Sequence, residues 1–328
     1  MQSLLSDYSV FLLELVTIAA IVVVSFLIIL SAAKKPHEQS HLRVEHLNKS
    51  VKQRIDAARR TILGKREARK LIRERKKAEK QQKAAKNESA SNRPRIFVLD
   101  FKGDIRATAT ASLREEISAV IELAEKKDEV LVRLENAGGA VHEHGLAASQ
   151  LLRLRAHGIP LTVAVDKVAA SGGYLMACAA DRIIAAPFAV IGSIGVLMQL
   201  PNFHRLLEQK GVDFEQITAG KFKRTLTIFG ENTDEGRDKV KEELIEVHEL
   251  FQSRIKELRP GVDLEQVATG EHWYGDRALE LNLIDEVGTS DDFLLNAADR
   301  ADLYKLSYKR QLKFVERMLH SAEGLLYR

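Results

Sequence analysis

The alternation of apolar and polar positions predicts an α/β fold for the chain beyond residue 95. Short β-rich runs alternate there with longer runs whose apolar residues recur every three or four positions, as in βα units of a largely parallel sheet. The predicted strands are Ile96–Asp100, Val130–Leu134, Leu161–Val165, Arg182–Ala186 and Leu283–Val287. The predicted helices are Thr110–Glu125, Val141–His157, Asn202–Gln209, Thr233–Leu258 and Gly275–Leu281.

The N-terminal part of the chain has a different pattern. Leu15–Ala33 is a run of 19 residues without a charge, which as a helix is about 28 Å long and nearly matches a bilayer core. We interpret this run as a retained transmembrane helix. The alternative is a cleaved signal peptide, because small residues end the run, but no Lys or Arg precedes it and the run exceeds the usual length.

Behind this run, apolar residues from Leu42 to about Lys70 lie on one narrow side of a predicted helix. Residues 34–95 carry 21 Lys and Arg against 7 Asp and Glu, a net charge of +14, although the whole chain carries only +4. No aromatic residue lies in this segment, so stacking with nucleic-acid bases is not expected. We interpret it as a helical spacer that contacts anionic lipid.

The composition narrows the class of protein further. The 328 residues are 45% hydrophobic and include one cysteine, which excludes an intrachain disulfide and a cysteine-based zinc site.

From the patterns of hydropathy and charge, we divide the chain into an N-terminal segment with the span (1–33), a basic helical segment and linker (34–94), a catalytic domain (95–300) and a C-terminal helical extension (301–328). The positive-inside rule places the basic segment in the cytoplasm.

Two glycine-containing segments follow predicted strands, where α/β sheets place their chemistry. The first is ENAGG, residues 135–139, and the second is VAASGGYLMACAA, residues 168–180. In the second, Ser171 precedes an apolar helix, a position from which a hydroxyl can attack while backbone N–H groups stabilise an oxyanion. An ordinary turn and a helix-capping serine are the simpler interpretations. The segment also lacks the G-x-S-x-G spacing of a nucleophile elbow.

Five motifs together resemble one family, the signal peptide peptidase A family of serine peptidases (peptidase family S49), and within it the single-domain, membrane-anchored branch. They are ASGGYLMACAAD, GSIGV, TAGKFKRTLT, FGENT and ATGEHWYG, in the family's order over about residues 95–300. The resemblance implies a ClpP- or crotonase-like spiral of β-β-α units. It also implies a serine endopeptidase that uses a Ser–Lys dyad and needs no metal or organic cofactor.

Matched motif by motif, the resemblance places the nucleophile at Ser171 and the general base at Lys223. Lys221 is the rival, but the family's base directly precedes an arginine and lies 52 residues beyond the serine, as Lys223 does. Two lysines alternating in a strand would point to opposite faces, which leaves Lys221 facing solvent. A lysine accepts the serine proton only when neutral, a form that a desolvated cleft favours.

The remaining site residues also follow from the resemblance. Ser193 matches the serine that orients the lysine, and Gly138, Gly139 and Gly172 match the oxyanion region. This chain departs from the family in one place, since Asn136-Ala137 stands where relatives commonly have Ser-Pro. The missing proline loosens a turn and leaves the oxyanion donor open.

The histidines of the chain do not form a metal site in this interpretation. His142 and His144 are about 200° apart on a helix, so they cannot share one ion, and we expect both at the helix surface. His272, beside Trp273 and Tyr274, is expected in a packed structural cluster.

We therefore predict an inner-membrane, single-pass serine endopeptidase acting on peptides or unfolded segments near the bilayer, signal peptide remnants included. Its predicted partners are peptide substrates, membrane lipid and further copies of itself, with Ser171 and Lys223 meeting across a subunit boundary. The side of the membrane that holds the catalytic domain is left open. The alternatives are a coenzyme A enzyme on the same fold, which needs paired carboxylates near the glycines, and a non-catalytic membrane scaffold.

Overall fold

The computed structural model describes residues 16–18, 41–64, 66–67, 69–74, 77 and 93–309. The described residues between 42 and 308 form one compact unit. The predicted transmembrane run, 15–33, lies outside the described residues except for 16–18. Within the described residues, no helix combines the length and the apolar character needed to cross a membrane.

A seven-stranded sheet organises this unit. Its strands are β1 His41–His46, β2 Arg95–Lys102, β3 Glu129–Glu135, β4 Leu161–Val165, β6 Arg182–Ala185, β9 Glu286–Val287 and β10 Asp302–Lys309. They lie in the order β1-β10-β2-β3-β4-β6-β9, and the neighbours from β10 to β9 in that order are parallel. The predicted α/β class is confirmed.

A second, smaller sheet consists of three short strands. β5 (Val168–Ala170) pairs in parallel with β7 (Val190–Gly192), and β7 pairs antiparallel with β8 (His272–Tyr274). β4 and β6 each belong to the large sheet, and the next strand of the chain belongs to the small one. These three-residue strands were not predicted, because they are too short to show a period.

Helices cover both faces of the large sheet. In β2, Phe97, Leu99 and Phe101 join one apolar core and Ile96 and Val98 join another, as the alternation of side chains along a strand requires. The helices are α1 Leu47–Ile62, α2 Thr110–Leu123, α3 Val141–Ala156, α4 Gly172–Cys178, α5 His204–Gln209, α6 Asp234–Leu258, α7 Leu264–Val267, α8 Gly275–Glu280 and α9 Ser290–Arg300.

Both ends of the described chain differ from the predicted segments. Residues 302–309 form strand β10, hydrogen-bonded beside β2, where a helical extension from 301 was predicted. Residues 41–46 form β1, where the periodicity predicted a helix, and the helix begins at Leu47. The side chain of Asn48 donates to the carbonyls of Ala298 and Ala301, so α1 is bonded to the folded unit. The rest of the predicted extension, 310–328, lies outside the described residues.

Candidate active site

Ser171 occupies a strained turn between β5 and α4. Its backbone has φ 52° and ψ −123°, a region that residues with a side chain rarely adopt. The turn is fixed because the N–H of Ser171 donates to the carbonyl of Gly192 in β7, at 2.7 Å. The Ser171 side chain makes no capping hydrogen bond to α4. The simple interpretation of Ser171 as a helix cap therefore fails, and a strained, uncapped serine is typical of a nucleophile.

The two glycines after Ser171 allow α4 to approach its neighbours closely. A Cβ at Gly172 would lie 2.5 Å from Cβ of His144, and one at Gly173 would lie 2.1 Å from the carbonyl oxygen of Asn136. Both distances are well inside van der Waals contact. The ASGG motif thus seats the N-terminus of α4 against α3 and the end of β3.

Gly138 and Gly139 lie directly beside the serine. A Cβ at Gly138 would lie 2.7 Å from Cβ of Ser171, and Gly138 has φ +91°, which disfavours any residue with a side chain. A Cβ at Gly139 would lie 2.2 Å from the carbonyl oxygen of Ile105, and that same oxygen accepts the N–H of Ala140 at 2.8 Å. The turn after β3 is therefore packed between Ser171 and the loop that carries Ile105.

A side-chain hydrogen bond closes this turn. Oδ1 of Asn136 accepts the N–H of Gly138 at 2.8 Å, the local bond by which asparagine closes a turn. Gly138 is thereby occupied, whereas the N–H groups of Gly139 and Gly172 donate to no acceptor within the described part of the chain. The sequence did not reveal this difference among the three oxyanion candidates.

Ser193 lies next to the serine turn, one residue beyond Gly192. It also has a positive φ, 51°, and its N–H donates to the carbonyl of Glu271 at 2.7 Å. Its hydroxyl lies 3.4 Å from the carbonyl oxygen of Gly270. Ser193 is thus held close to Ser171, with its hydroxyl directed to a backbone carbonyl.

The two lysines lie in a turn, so the alternation of side chains along a strand does not decide between them. The N–H of Lys223 donates to the carbonyl of Gly220 at 3.1 Å, and residues 220–223 form no strand. Nζ of Lys221 forms an ion pair with Glu235 at 2.6 Å. The exposed Lys223 makes no side-chain hydrogen bond or ion pair with any described residue, Ser171 included. Lys221 is therefore a surface residue, and no hydrogen bond joins the side chains of Lys223 and Ser171 in the described part of the chain.

His142 and His144 lie on different faces of α3, as their spacing predicted, but only His142 is at the surface. The prediction for His144 was wrong, because this side chain is fully buried. The sequence held a signal for this burial, since Ala147, Ala148 and Leu151 follow at the three-, four- and seven-residue spacing of one buried face.

One acidic and two basic side chains meet where the central strands end. Hydrogen bonds from Lys102 and Lys167 lower the pKa of the Glu135 carboxyl. Their Nζ atoms each lie 3.1 Å from a Glu135 oxygen, which joins the ends of β2 and β3 to the residue preceding β5. In the described residues, no three His, Cys, Asp or Glu side chains come together as a metal site.

The residues around Trp273 have a structural role. Trp273 belongs to β8, and its ring would contact a Cβ on Gly192 at 2.9 Å, so it packs behind the Ser171–Ser193 turns. His272 is exposed and its ring meets that of Tyr274 edge-on at 6.1 Å. This agrees with the predicted structural cluster, although His272 lies at its surface.

An α/β fold that holds an uncapped serine in a strained turn, beside N–H groups that donate to no acceptor among the described residues, fits the serine hydrolase class of protein. Residues 3–151 match the family described as Peptidase family S49 N-terminal, and residues 153–304 match Peptidase family S49. The chain belongs to peptidase family S49 and is a serine peptidase.

Named relatives agree with this membership. The chain is 44% identical to the "Probable protease SohB" of Haemophilus influenzae, over 98% of this chain and 94% of the relative. It is 55% identical to the protein of the same name from Buchnera aphidicola subsp. Acyrthosiphon pisum, over 70% and 69%. Among solved structures, a "1510-N membrane-bound stomatin-specific protease" in complex with a substrate peptide is similar with a TM-score of 0.44 and 14% identity, over 70% of this chain and 97% of that one.

Proposed function

We propose that Ser171 is the nucleophile of this peptidase, Lys223 its general base and Ser193 the residue that orients the lysine. The observation that carries the proposal is the backbone of Ser171, held at φ 52° with a side chain that caps nothing. Strain of this kind persists only where the surrounding structure enforces it, and it concentrates at active sites.

In the proposed reaction, Oγ of Ser171 attacks the scissile carbonyl carbon while neutral Lys223 removes the hydroxyl proton. The tetrahedral oxyanion collapses to an acyl-enzyme, and Lys223 returns the proton to the leaving amine. Water then hydrolyses the ester and regenerates Ser171. Of the three oxyanion candidates, Gly139 and Gly172 have N–H groups available, whereas the N–H of Gly138 is engaged by Asn136. We assign the oxyanion to Gly139 and Gly172.

The base of this site comes from a second copy of the chain in our proposal. Lys223 is exposed and has no side-chain partner among the described residues, and a lysine becomes neutral more readily once it is desolvated. Residues 212–229, on both sides of Lys223 in the sequence, also present apolar side chains to solvent. The most exposed of these is Ile217, at 95%. A neighbouring copy that covers this segment would both desolvate Lys223 and bury apolar surface.

The experiment mixes two inactive variants, Ser171→Ala and Lys223→Ala, and co-assembles them. Shared sites restore activity, because some boundaries pair an intact Ser171 with an intact Lys223. Mixing two batches of the same variant is the control and gives no activity. If the mixture stays inactive although the two chains co-purify, the site lies within one chain.

The finer fold and the location belong to the same proposal. We propose a spiral of β-β-α units of the ClpP or crotonase type, supported by the assignment of β4 and β6 to the large sheet and of β5 and β7 to the small one.

We also propose that residues 15–33 anchor the chain in the inner membrane, that the basic segment contacts anionic lipid, and that substrates are peptides or unfolded segments near the bilayer. A reporter fused after residue 328, active on one side only, tests the anchor and its orientation. Recovery of the full chain in the soluble fraction would contradict it.

A further inference from the structure

A buried polar pair lies directly behind the Ser171 turn. Asn136 is 1% exposed and His144 is 0% exposed, and Nε2 of His144 lies 3.2 Å from Oδ1 of Asn136. Buried polar side chains are costly unless they are hydrogen-bonded. An apolar residue would otherwise suit position 144, on a face formed by Ala147, Ala148 and Leu151.

Asn136 connects several elements of the site. Its backbone N–H donates to Val168 at 2.9 Å and its carbonyl accepts the N–H of Ala170 at 3.0 Å, which fixes it to β5. Its Oδ1 accepts the N–H of Gly138, and its Nδ2 lies 3.3 Å from Sδ of Met176 in α4. The position of Oδ1 therefore sets the turn that carries Gly138 and Gly139.

His144 contacts both sides of this arrangement. Its Nδ1 lies 3.0 Å from the carbonyl oxygen of Ala140, and its ring is packed against Gly172, where no Cβ fits. Both ring nitrogens face oxygens that only accept, and a neutral imidazole carries one proton. The Nε2–H tautomer donates to Oδ1 of Asn136 and leaves Nδ1 beside the Ala140 carbonyl oxygen without a hydrogen bond. The ring thus contacts both segments that supply N–H groups to the proposed oxyanion site, the one through Asn136 and the other at Gly172.

We propose that His144 is a positioning residue for the oxyanion site. Nε2–H of His144 holds Oδ1 of Asn136, which holds the N–H of Gly138, and the N–H of Gly139 is thereby aimed beside Ser171. This inference rests on the proposed function of Ser171 and Gly139. His144 touches neither the substrate nor the reacting atoms, and its effect is therefore on the geometry of the transition state.

The test replaces His144 by Phe, which keeps a ring against Gly172 and removes the bond to Asn136. We expect kcat to fall about 10- to 100-fold with KM unchanged, because a displacement of about 1 Å in an oxyanion donor acts on the transition state alone. His144→Gln provides the rescue, since its amide N–H can donate to Asn136, and it is expected to recover most of the lost kcat. His142→Phe, two residues earlier on the exposed face, is the matched control and leaves kcat unchanged.

The assay is the pre-steady-state burst with a short peptide nitrophenyl ester and the full chain. The burst amplitude counts competent sites, so a folding defect lowers the amplitude, whereas a misplaced oxyanion donor lowers the burst rate. A slower burst of normal amplitude for His144→Phe, with recovery in His144→Gln, supports the proposal. A normal burst rate for His144→Phe overturns it, as does a loss that Gln does not relieve. If His144→Phe does not fold, His144→Met takes its place with the same expectations.

The proposed function is tested separately in the same assay. Ser171→Ala must abolish the burst if Ser171 is the nucleophile. A burst that survives in Ser171→Ala removes the proposed function, whereas a burst lost in Ser171→Ala and normal in His144→Phe removes only the role of His144.

Discussion

The two sides of the proposed dyad are held by very different structure. Ser171 is fixed by the backbone bond to Gly192 and by Gly138, where a Cβ would lie 2.7 Å from Cβ of Ser171. Lys223 lies in an exposed turn, and its amine makes no hydrogen bond or ion pair with any described side chain. The proposed nucleophile is thus held in place within one chain, whereas no described side chain holds the amine of the proposed base. The proposed sharing of Lys223 between two copies of the chain would account for this difference.

The largest effect is expected from the dyad itself. Ser171→Ala and Lys223→Ala should each lower kcat/KM by at least about a thousandfold, with the double variant little worse than either, because a dyad acts as one unit. Steady-state hydrolysis of a fluorogenic peptide provides the measurement. Lys221→Ala is the control and stays within about twofold of the unchanged chain. An inactive Lys221→Ala beside an active Lys223→Ala would reverse the assignment of the base.

The next effect compares two glycines, Gly139 in the turn beside Ser171 and Gly220 in the turn that carries Lys223. Gly139→Ala forces a Cβ against the Ile105 backbone at 2.2 Å, and we expect it to lower the free energy of unfolding by about 3 kcal/mol. Gly220→Ala has φ +99° but no contact nearer than 3.9 Å, so only the backbone cost of about 1–2 kcal/mol applies. Urea unfolding of the two variants gives the difference. Equal losses would show that the two turns are equally constrained.

The pH dependence of stability is a third, smaller effect and must be separated from that of activity. Burial raises the pKa of Glu116 to about 7, although the N–H of Tyr308 donates to it. The folded chain therefore binds this proton more tightly than the unfolded chain does. The stability it contributes is complete below the unfolded value of 4.5 and is lost as the pH rises through about 7.

Glu116→Gln removes this pH dependence and keeps an acceptor for Tyr308. We expect the variant to be more stable than the unchanged chain at pH 8, by on the order of 2–3 kcal/mol, and the two to converge near pH 4. Thermal unfolding across this pH range measures the difference in stability.

A lysine base requires kcat/KM to rise towards alkaline pH in both chains. A profile that is flat from neutral to alkaline pH in Glu116→Gln would exclude Lys223 as the base.

The smallest effect is expected at the ion pair of Lys221 with Glu235. The two side chains are 68% and 64% exposed, and pairs of this kind contribute less than about 1 kcal/mol. Glu235→Gln should therefore leave both the urea midpoint and kcat/KM almost unchanged. A marked loss of activity would mean that Lys221 helps to position the turn that carries Lys223.

The accuracy of the sequence-based predictions follows the length of the elements. The predicted helix Thr233–Leu258 begins one residue later in the structure, and the predicted strand Leu161–Val165 has the same bounds, because such runs show enough positions to define a period. The three-residue strands of the small sheet escaped prediction. The residues from Leu42 to His46 were assigned to a helix, although they belong to strand β1 of the large sheet.

The amino-acid sequence by itself determined the α/β class, the family and the segments that carry its motifs, since these depend on local spacing and on residue identity. The tertiary structure decided which side chains meet. It buried His144, closed the turn after β3 with the side chain of Asn136, and engaged the N–H of Gly138 rather than that of Gly139. These contacts join residues on β3, α3 and α4, and only the packing of those elements brings them within hydrogen-bond distance.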